Sequence, residues 1–250
     1  MRGRVFGEVA GAYEDARAGY PEELVDEVLS YAGVPGWAVE VGAGTGKATG
    51  SFVARGLSLT CVEPDARMAA VLASRYPGVT VHAGPFEDWT PPAGGVPLVY
   101  SAQAWHWVDA ATRYGLLHDA LAPGGAAALF WNGYVFADQE TADATNGVYA
   151  VHAPELMEPP PSPDGSDFVY AAEVRDSGLF TDVRTTVFHS LVAYPTARYR
   201  ALLGTFSGHR MLPDERRDAL HDALAAVIDR LGGVVSIDLA TALVLARRGA

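Results

Sequence analysis

The chain has 250 residues, of which 49% are hydrophobic and 19% charged, a composition typical of one globular domain with a large core. Its formal net charge is −12, from 18 basic and 30 acidic residues, which argues against nucleic acid or anionic lipid as a partner and favours a small molecule or a modest peptide. Cys61 is the only cysteine, and the sequence contains no signal-peptide pattern and no apolar run of membrane-spanning length. We therefore expect a cytoplasmic protein without a disulfide.

The chain begins with a polar segment, residues 1–20, that carries scattered aromatic side chains. Pro21 follows, a residue that suits the start of a helix because its φ is already helical. The next apolar residues recur at helical spacing, at Leu24, Val25, Val28 and Leu29. The sequence thus predicts an N-terminal arm followed by an amphipathic helix.

The most informative stretch runs from Ala38 to Lys47. A short apolar run ends in three alternating glycines, Gly42, Gly44 and Gly46, and a helical pattern follows. This order predicts a buried strand, a tight turn and a helix N-terminus. Glycine permits a positive φ and lets a ligand approach the backbone closely. The free N–H groups at a helix start favour a flat, polar or anionic ligand.

The spacing of this turn differs from that of two known nucleotide-binding loops. The phosphate loop of nucleotide hydrolases has four residues between its glycines and a Ser or Thr after the Lys, whereas here three residues separate Gly42 from Gly46 and Ala48 follows Lys47. The dinucleotide fingerprint is spaced G-x-G-x-x-G, whereas this chain reads G-x-G-x-G. The second mismatch argues against a nicotinamide or flavin cofactor, but an NAD(P)-dependent oxidoreductase stays open as an alternative.

A second strand with a terminal acid follows the glycine turn. Residues 57–62 are apolar and partly β-branched, and Glu63 comes next, 21 positions after Gly42. A carboxylate at the carboxyl end of this strand can accept hydrogen bonds from both ribose hydroxyls of a nucleotide. With Glu40 on the first strand and the G-x-G-x-G turn, the pattern resembles the first motifs of the class I S-adenosylmethionine-dependent methyltransferases.

The next elements extend the resemblance. Asp65 is a predicted helix cap, and a third strand at residues 79–82 leads to the turn Gly84–Trp89. In the family this turn covers the adenine ring, so the resemblance implies that Phe86 packs on the ring and that Glu87 or its backbone meets the exocyclic amine. A solvated loop position for Glu87 is the alternative. Many relatives have an acidic residue where this chain has Pro85, which puts the details of the adenine contact in doubt.

A fourth strand, residues 96–102, leads into Ser101–Asp109, which resembles the fourth motif of small-molecule methyltransferases of the trans-aconitate type. Ligands of open α/β sheets bind outside the carboxyl ends of the strands. His106 is therefore our candidate general base, because an imidazole with a pKa of about 6.5 can accept a proton near neutral pH. The alternative is that His106 only packs between Trp105 and Trp107.

The remaining pattern predicts the second half of an α/β fold. It consists of a helix at 111–121, a strand at 126–131 after an L-x-P-G-G turn, an irregular proline-containing region at 132–167, a helix at 167–177, a strand at 183–194, helices at 195–206 and 213–231, and a strand within 234–246. The resemblance implies one domain, residues 1–250. Its expected fold is a Rossmann-like, doubly wound seven-stranded sheet of order 3-2-1-4-5-7-6, with the last strand antiparallel and helices on both faces. Residues 1–20 would form an arm over the cofactor, and residues 133–167 and 195–232 a small lid.

The resemblance also implies the binding residues. The guanidinium of Arg17, on the arm, can pair bidentately with the methionine carboxylate; a surface position for Arg17 is the alternative. The expected cofactor contacts are Tyr13, Arg17, Glu40, Gly42, Ala43, Gly44, Gly46, Glu63, Pro64, Met68, Phe86, Glu87, Ser101 and Gln103. The expected substrate contacts are Trp105, Asn132, Tyr134 and His209.

The implied function is transfer of a methyl group from S-adenosyl-L-methionine to an oxygen, nitrogen or carbon of a small molecule, with S-adenosyl-L-homocysteine as product. A non-catalytic protein that keeps the cofactor pocket is a further alternative. No residue spacing is typical of a metal site, and we interpret the pairs His118–Asp119 and His221–Asp222 as solvated helix faces. We expect a monomer or homodimer that does not bind nucleic acid or membranes.

Overall fold

The structure is a computed structural model that describes residues 16–157 and 168–249. Its centre is one seven-stranded sheet of order β3-β2-β1-β4-β5-β7-β6, as predicted. Strands β1 to β5 pair in parallel, and β7 runs antiparallel to both of its neighbours. The strands are β1 Trp37–Val41, β2 Ser58–Val62, β3 Thr80–His82, β4 Val96–Ala102, β5 Leu121–Phe136, β6 Phe180–Pro195 and β7 Val234–Arg248.

Nine α-helices are assigned within the described residues. They are α1 Glu22–Ala32, α2 Thr49–Val53, α3 Ala66–Arg75, α4 Arg113–Ala120, α5 Gln139–His152, α6 Val169–Asp176, α7 Thr196–Leu203, α8 Ser207–Met211 and α9 Asp214–Arg230. The predicted start signals are confirmed. Helix α1 begins directly after Pro21, and the Asp65 side chain accepts the backbone N–H groups of Arg67 and Met68 at the start of α3. No described helix is both long and apolar enough to cross a lipid bilayer.

Alternating side chains of the sheet enter two different cores, because successive residues of a strand point to opposite faces. Ala38, Cys61 and Tyr100 pack in one core with α1 to α3, whereas Val39, Val62 and Val99 pack in the other with α4 and α6. A third cluster joins α7 and α9 to the far ends of β6 and β7. The sheet is therefore covered on both faces, and its long antiparallel half carries an additional helical layer.

Two predictions for the second half of the chain are wrong, the end of one strand and the irregular character of residues 132–167. Strand β5 continues to Phe136 instead of ending near Trp131, because residues 126–136 pair continuously with residues 237–247 of β7. Helix α5 lies within the region that the sequence predicts to be irregular. The Asp138 carboxylate caps it by accepting the N–H of Thr141 at 2.7 Å, and its buried positions are the polar residues Thr141 and Thr145. It therefore lacks the apolar stripe by which a helix is recognised.

Candidate functional site

A cavity of about 1060 Å³ lies at the carboxyl ends of the parallel strands, where open α/β sheets bind ligands. The glycine turn after β1, Glu63 after β2 and Gln103 after β4 line one part of it. The end of β5 and side chains of α5, α7 and α8 line the other part. The cavity thus joins the nucleotide-type motifs of the parallel half to the helical layer of the antiparallel half.

The three glycines of the turn all have positive φ but meet different surroundings. A Cβ on Gly42 would lie 2.3 Å from the Cβ of Ala104, and one on Gly46 would lie 2.6 Å from the ring of Tyr76. A Cβ on Gly44, where φ is +59°, would meet no atom within 4 Å, and Gly44 lines the cavity. Gly42 and Gly46 therefore allow the chain to pack closely, whereas Gly44 leaves space beside the backbone for a ligand.

Glu63 is held rigidly beside this turn. Its Oε2 accepts the backbone N–H of Gly44 at 2.7 Å, and its Oε1 accepts that of Asp65 at 2.8 Å. Only 5% of the residue is exposed, and burial raises the pKa of its carboxyl while the two N–H donors oppose that rise. Each carboxylate oxygen has a second lone pair, and the residue lines the cavity. The side chain can therefore accept hydrogen bonds from two further donors, such as a pair of ribose hydroxyls.

Glu40 also lines the cavity but belongs to an internal network. Its Oε2 accepts the hydroxyls of Thr49 at 2.6 Å and Tyr100 at 2.9 Å. Burial raises the pKa of this carboxyl to about 7, although the two hydroxyl donors favour its charged form. The network ties β1 to α2 and β4 directly beneath the glycine turn.

Two cations lie on the cavity wall, Arg17 of the arm and Lys47 beside the glycine turn. Arg17 donates from Nε to the hydroxyl of Thr205 at 3.0 Å and from an Nη to its carbonyl at 3.2 Å, and its guanidinium lies 5.3 Å from the centroid of the Phe206 ring. Lys47 donates to the carbonyl of Arg17 at 2.7 Å. Both side chains line the cavity and give this part of it positive charge. Tyr13, the other predicted arm contact, lies outside the described residues.

The turn predicted to cover an adenine also lines the cavity, together with Ala43, Pro64 and Met68. Phe86 is 4% exposed, and its ring centroid lies 6.0 Å from that of Trp105. The Oε1 of Glu87 accepts the backbone N–H of Asp109 at 2.9 Å. The turn is therefore fixed to the segment that follows β4, and Phe86 contributes an apolar patch to the cavity wall.

The predictions for Ser101 and Trp105 disagree with the structure, since neither residue lines the cavity, and the predicted contact Gly46 is also absent from its lining. The Ser101 hydroxyl is buried and donates to the carbonyl of Val41 at 2.8 Å, which ties β4 to β1. Trp105 is fully buried in the core, because the 3₁₀ turn Trp105–Trp107 directs it inward while His106 and Trp107 are exposed. Both residues support the site from behind rather than forming its surface.

His106 lines the cavity, as the hypothesis of a general base requires. Partial desolvation lowers the pKa of its imidazole, and the positive charges of Arg113 and Arg17 lower it further. The ring is therefore neutral at physiological pH and able to accept a proton. Its centroid lies 4.6 Å from that of Trp107.

Three of the predicted substrate contacts line the cavity, namely Asn132, Tyr134 and His209. Asn132 donates to the carbonyl of Gly19 at 3.1 Å and accepts the hydroxyl of Thr241 at 2.7 Å. Gln103 has a φ of +59° and donates from its side chain to the carbonyl of Asn132 at 3.2 Å. Asn132 thus fastens the arm to the sheet, a supporting role that the sequence pattern does not indicate.

His209 belongs to a chain of hydrogen-bonded side chains that sequence reasoning missed. Its Nε2 lies 3.2 Å from the hydroxyl of Tyr149, and its Nδ1 lies 3.0 Å from Nε2 of His221. Burial lowers the pKa of His209 to about 4. His221 is only 6% exposed, so its interpretation as part of a solvated helix face is wrong. Tyr149 lies on α5, the helix without a recognisable pattern, so no sequence signal pointed to it.

A metal centre has no support within residues 16–157 and 168–249, where no group of three or more His, Cys, Asp or Glu side chains could hold an ion. Cys61 is fully buried, and burial raises the pKa of its thiol far above neutrality, so it is not a reactive nucleophile. The site therefore offers glycines, carboxylates, cations and imidazoles, a set suited to binding an organic cofactor and moving a proton.

Comparison with known proteins agrees with this geometry. Residues 38–125 match the family model of the methyltransferase domain. An uncharacterized methyltransferase of Mycobacterium tuberculosis is 39% identical over 127 residues, which is 51% of each chain. Trans-aconitate 2-methyltransferase of Rhizobium meliloti is 31% identical over 120 residues, 47% of this chain and 46% of that one. The chain thus spans about half the length of these relatives in the matched region.

Solved structures share the fold over more of the chain. One from Anaeromyxobacter dehalogenans, described as a type II methyltransferase, has a TM-score of 0.67 and 21% identity, and covers 92% of this chain and 97% of its own. Phosphoethanolamine N-methyltransferase 2 of Haemonchus contortus, in complex with S-adenosyl-L-methionine, has a TM-score of 0.56 and 14% identity over 99% of this chain and 59% of its own. Residues 38–125 of this chain are therefore similar to a methyltransferase domain, and the chain has the fold of these solved methyltransferase structures.

Proposed function

We propose that this chain catalyses the transfer of a methyl group from S-adenosyl-L-methionine to a small-molecule acceptor. The observation that carries the proposal is the pairing of Gly44 with Glu63. The glycine leaves open space on the cavity wall, and the carboxylate bonded to its N–H has lone pairs left for two hydroxyl groups. This is the arrangement that the adenosyl half of the cofactor requires.

The other lining residues fit the remaining parts of the same cofactor. Phe86 and Met68 offer an apolar surface to the adenine ring, and Glu87 lies in the same turn. Arg17 and Lys47 place positive charge where a carboxylate of the methionine end would be favoured. We assign Glu40 to shaping the floor of the pocket, because the hydroxyls of two neighbouring residues already occupy its Oε2.

When bound, the sulfonium cofactor supplies an activated methyl group, so the protein has to orient the acceptor and exclude water. Orientation of this kind can contribute about 7–11 kcal/mol to lowering a barrier. We assign residues 1–250 to one methyltransferase domain, in which Arg17 and helices α5, α7 and α8 form the wall around the acceptor. In support, all three helices and Arg17 line the same cavity as the glycine turn.

Calorimetric titration with S-adenosyl-L-homocysteine tests cofactor binding directly. We expect saturable binding to the wild type and at least about a tenfold weaker affinity for Glu63→Ala, which loses the hydrogen-bond acceptors for the ribose. Titration with NADH and NADPH under the same conditions should give no binding. Tight binding of NADH or NADPH without binding of S-adenosyl-L-homocysteine would favour an oxidoreductase instead.

Turnover requires a second measurement, because a non-catalytic protein could also bind the cofactor. Incubation with methyl-labelled S-adenosyl-L-methionine and a metabolite extract should transfer label to a small molecule. Boiled enzyme and the Glu63→Ala variant are the controls. Binding without any label transfer across extracts from several growth conditions would indicate a binding protein.

A further inference from the structure

Three helices place a continuous chain of polar side chains at the acceptor end of the cavity. Tyr149 of α5 is hydrogen-bonded to His209 of α8, which is hydrogen-bonded to His221 of α9. Tyr149 and His209 line the cavity, whereas His221 does not. The chain therefore runs from the cavity wall into the helical layer behind it.

This chain lies close to the part of the cavity that we assign to the cofactor. The ring of Phe206 lies 5.9 Å from that of His209, and the same ring lies 5.3 Å from the guanidinium of Arg17. Phe206 also packs edge-on against Tyr134 at 5.3 Å. One aromatic side chain thus contacts both the cationic wall and the histidine chain, so an acceptor beside Phe206 is within reach of both.

We propose that Tyr149 is a catalytic residue that accepts the proton of a hydroxyl-bearing acceptor and passes it through His209 to His221. This inference rests on the proposed function and deepens it, because it assigns the acceptor to a class: a neutral, largely apolar molecule with a weakly acidic phenol-type or enol-type hydroxyl. Tyr149 meets the acceptor because both ring nitrogens of His209 already have partners.

The proton and electron pairs balance in one connected step. The acceptor oxygen forms a bond to the methyl carbon, and the carbon–sulfur bond of the donor breaks with its electron pair staying on sulfur. The acceptor proton moves to the Tyr149 oxygen as the tyrosine proton moves to Nε2 of His209. The proton on Nδ1 of His209 moves to Nε2 of His221. The Nδ1 proton of His221 leaves to solvent by way of Asp218 or Asp222, exposed carboxylates whose charge acts on the ring. Both rings change tautomer, and each ends neutral.

Proton transfer along Tyr149, His209 and His221 suits their buried surroundings better than the formation of a charged imidazolium on either histidine. Burial lowers the pKa of His209 to about 4, and desolvation, Arg200 and Arg217 lower that of His221. Asp218 and Asp222 oppose the lowering at His221, which places negative charge at the outer end of the chain. Burial also raises the pKa of Tyr149, so tyrosinate does not accumulate. A proton that passes along the chain avoids every one of these unfavourable charged states.

The wall around Tyr149 supports the acceptor class. The side chains that line this half of the cavity are mainly aromatic and aliphatic, among them Tyr134, Phe136, Leu202, Leu203, Phe206 and Ile237. Burying several carboxylates against such a wall would cost their hydration. A hydroxyl on an apolar body loses less, and its one polar group meets Tyr149. The acceptor thus differs in chemistry from the tricarboxylate for which the Rhizobium meliloti relative is named.

Nuclear magnetic resonance of the free protein tests the chain without any turnover. In ¹⁵N-labelled wild type at pH 7, we expect His209 and His221 to be neutral, each in one tautomer, with a slowly exchanging proton between them. His221→Gln should shift the resonances of His209. Two rings that average freely between tautomers, or an imidazolium at either position, would overturn the proposal.

Paired phenols test the catalytic step. At pH 8, 4-methylphenol carries its proton, whereas 4-nitrophenol is largely ionised. We expect Tyr149→Phe to lower kcat by about a hundredfold or more for 4-methylphenol and by less than about threefold for 4-nitrophenol. The His209→Gln variant should show the same asymmetry. His152→Gln, on the same helix but outside the cavity lining, is the matched control and should affect neither acceptor.

Each result has one interpretation. Equal losses for both phenols would mean that Tyr149 only supports the fold, and the inference would fail. Methylation of trans-aconitate but of neither phenol, by a protein that binds S-adenosyl-L-homocysteine, would also overturn it while leaving the proposed function intact. If the protein did not bind S-adenosyl-L-homocysteine, the proposed function itself would be refuted.

Discussion

Replacing Gly44 by alanine separates cofactor binding from folding. The ideal Cβ position at Gly44 has no atom within 4 Å and faces the cavity. The added methyl group therefore causes no clash in the free protein, but it occupies space that we assign to the cofactor. The only cost to folding comes from the backbone, where φ is +59°.

That cost has a known scale. An alanine in the left-handed region loses about 1 kcal/mol relative to glycine, which lowers the melting temperature of a domain of this size by about 2–4 °C. Gly33→Ala is the matched control, because Gly33 has a φ of +76°, no atom within 4 Å of its Cβ position, and no place in the cavity lining. The two variants should lose the same stability.

The affinity for S-adenosyl-L-homocysteine should differ between them. We expect Gly44→Ala to bind at least about tenfold more weakly than the wild type, a loss of about 1.4 kcal/mol or more, and Gly33→Ala to bind normally. The measurements are calorimetric titration at 25 °C and thermal unfolding without ligand. Unchanged affinity in a folded Gly44→Ala protein would refute the assignment of the cofactor to the glycine turn.

Three further substitutions test individual side chains. Glu63→Gln should weaken S-adenosyl-L-homocysteine binding at least about tenfold, because the amide NH₂ group donates where a carboxylate oxygen accepts. Equal affinity of the variant and the wild type would contradict the ribose assignment. Folding raises the pKa of Glu40 from 4.5 to about 7. Between these two pH values the folded state keeps a proton that the unfolded state releases. The Glu40 contribution to the free energy of unfolding therefore falls by about 3 kcal/mol as the pH rises from 4.5 to 7. The lowered pKa of His209 acts in the opposite sense, so the comparison is between two proteins: in urea unfolding, the wild type should lose about 3 kcal/mol more stability from pH 5 to pH 8 than Glu40→Gln does. His106→Asn should reduce turnover of 4-methylphenol less than tenfold if Tyr149 is the proton acceptor, and about a hundredfold or more if His106 is the base.

The parallel half of the fold could be predicted because its signals are local. Strands β1, β2 and β4 are short, mainly apolar runs that end at a glycine, an acid or a polar turn, and the cap at Asp65 is formed within three residues. The order of the strands then followed from the family resemblance, and the structure confirms it. The glycine turn and Glu63 were identified for the same reason, since both the spacing and the chemistry lie in adjacent stretches.

The antiparallel half could not be predicted to the same accuracy, because its extent depends on distant partners. Strand β5 passes through Asn132 and Gly133, residues that favour a turn, and it stays extended because β7 pairs with it as far as Phe136. Helix α5 buries threonines instead of a stripe of large apolar residues. The burial of His221 likewise follows from the packing of α8 against α9, which no local pattern reveals.

The direction of a side chain at a strand end is also invisible in the sequence. Ser101 and Trp105 belong to the correct segment but point away from the cavity, whereas Gln103, His106 and Trp107 line it. The positive φ of Gln103 and the 3₁₀ turn that follows set this orientation. A motif therefore located the right segment, but backbone geometry decided which of its residues reach a ligand.

The part of the cavity that we assign to the cofactor and the part that we assign to the acceptor meet at Arg17 of the arm. Arg17 contacts Thr205 and Phe206 on the helical layer, while Lys47 beside the glycine turn holds the carbonyl of Arg17. Of the residues that we assign to the methionine end of the cofactor, Arg17 is thus in direct contact with the wall that surrounds the proposed acceptor site, and Lys47 is connected to that wall through Arg17. Because cofactor and acceptor share this junction, binding of one should order part of the site for the other. The methyl donor and its acceptor would then be positioned by one connected set of contacts, which in-line transfer requires.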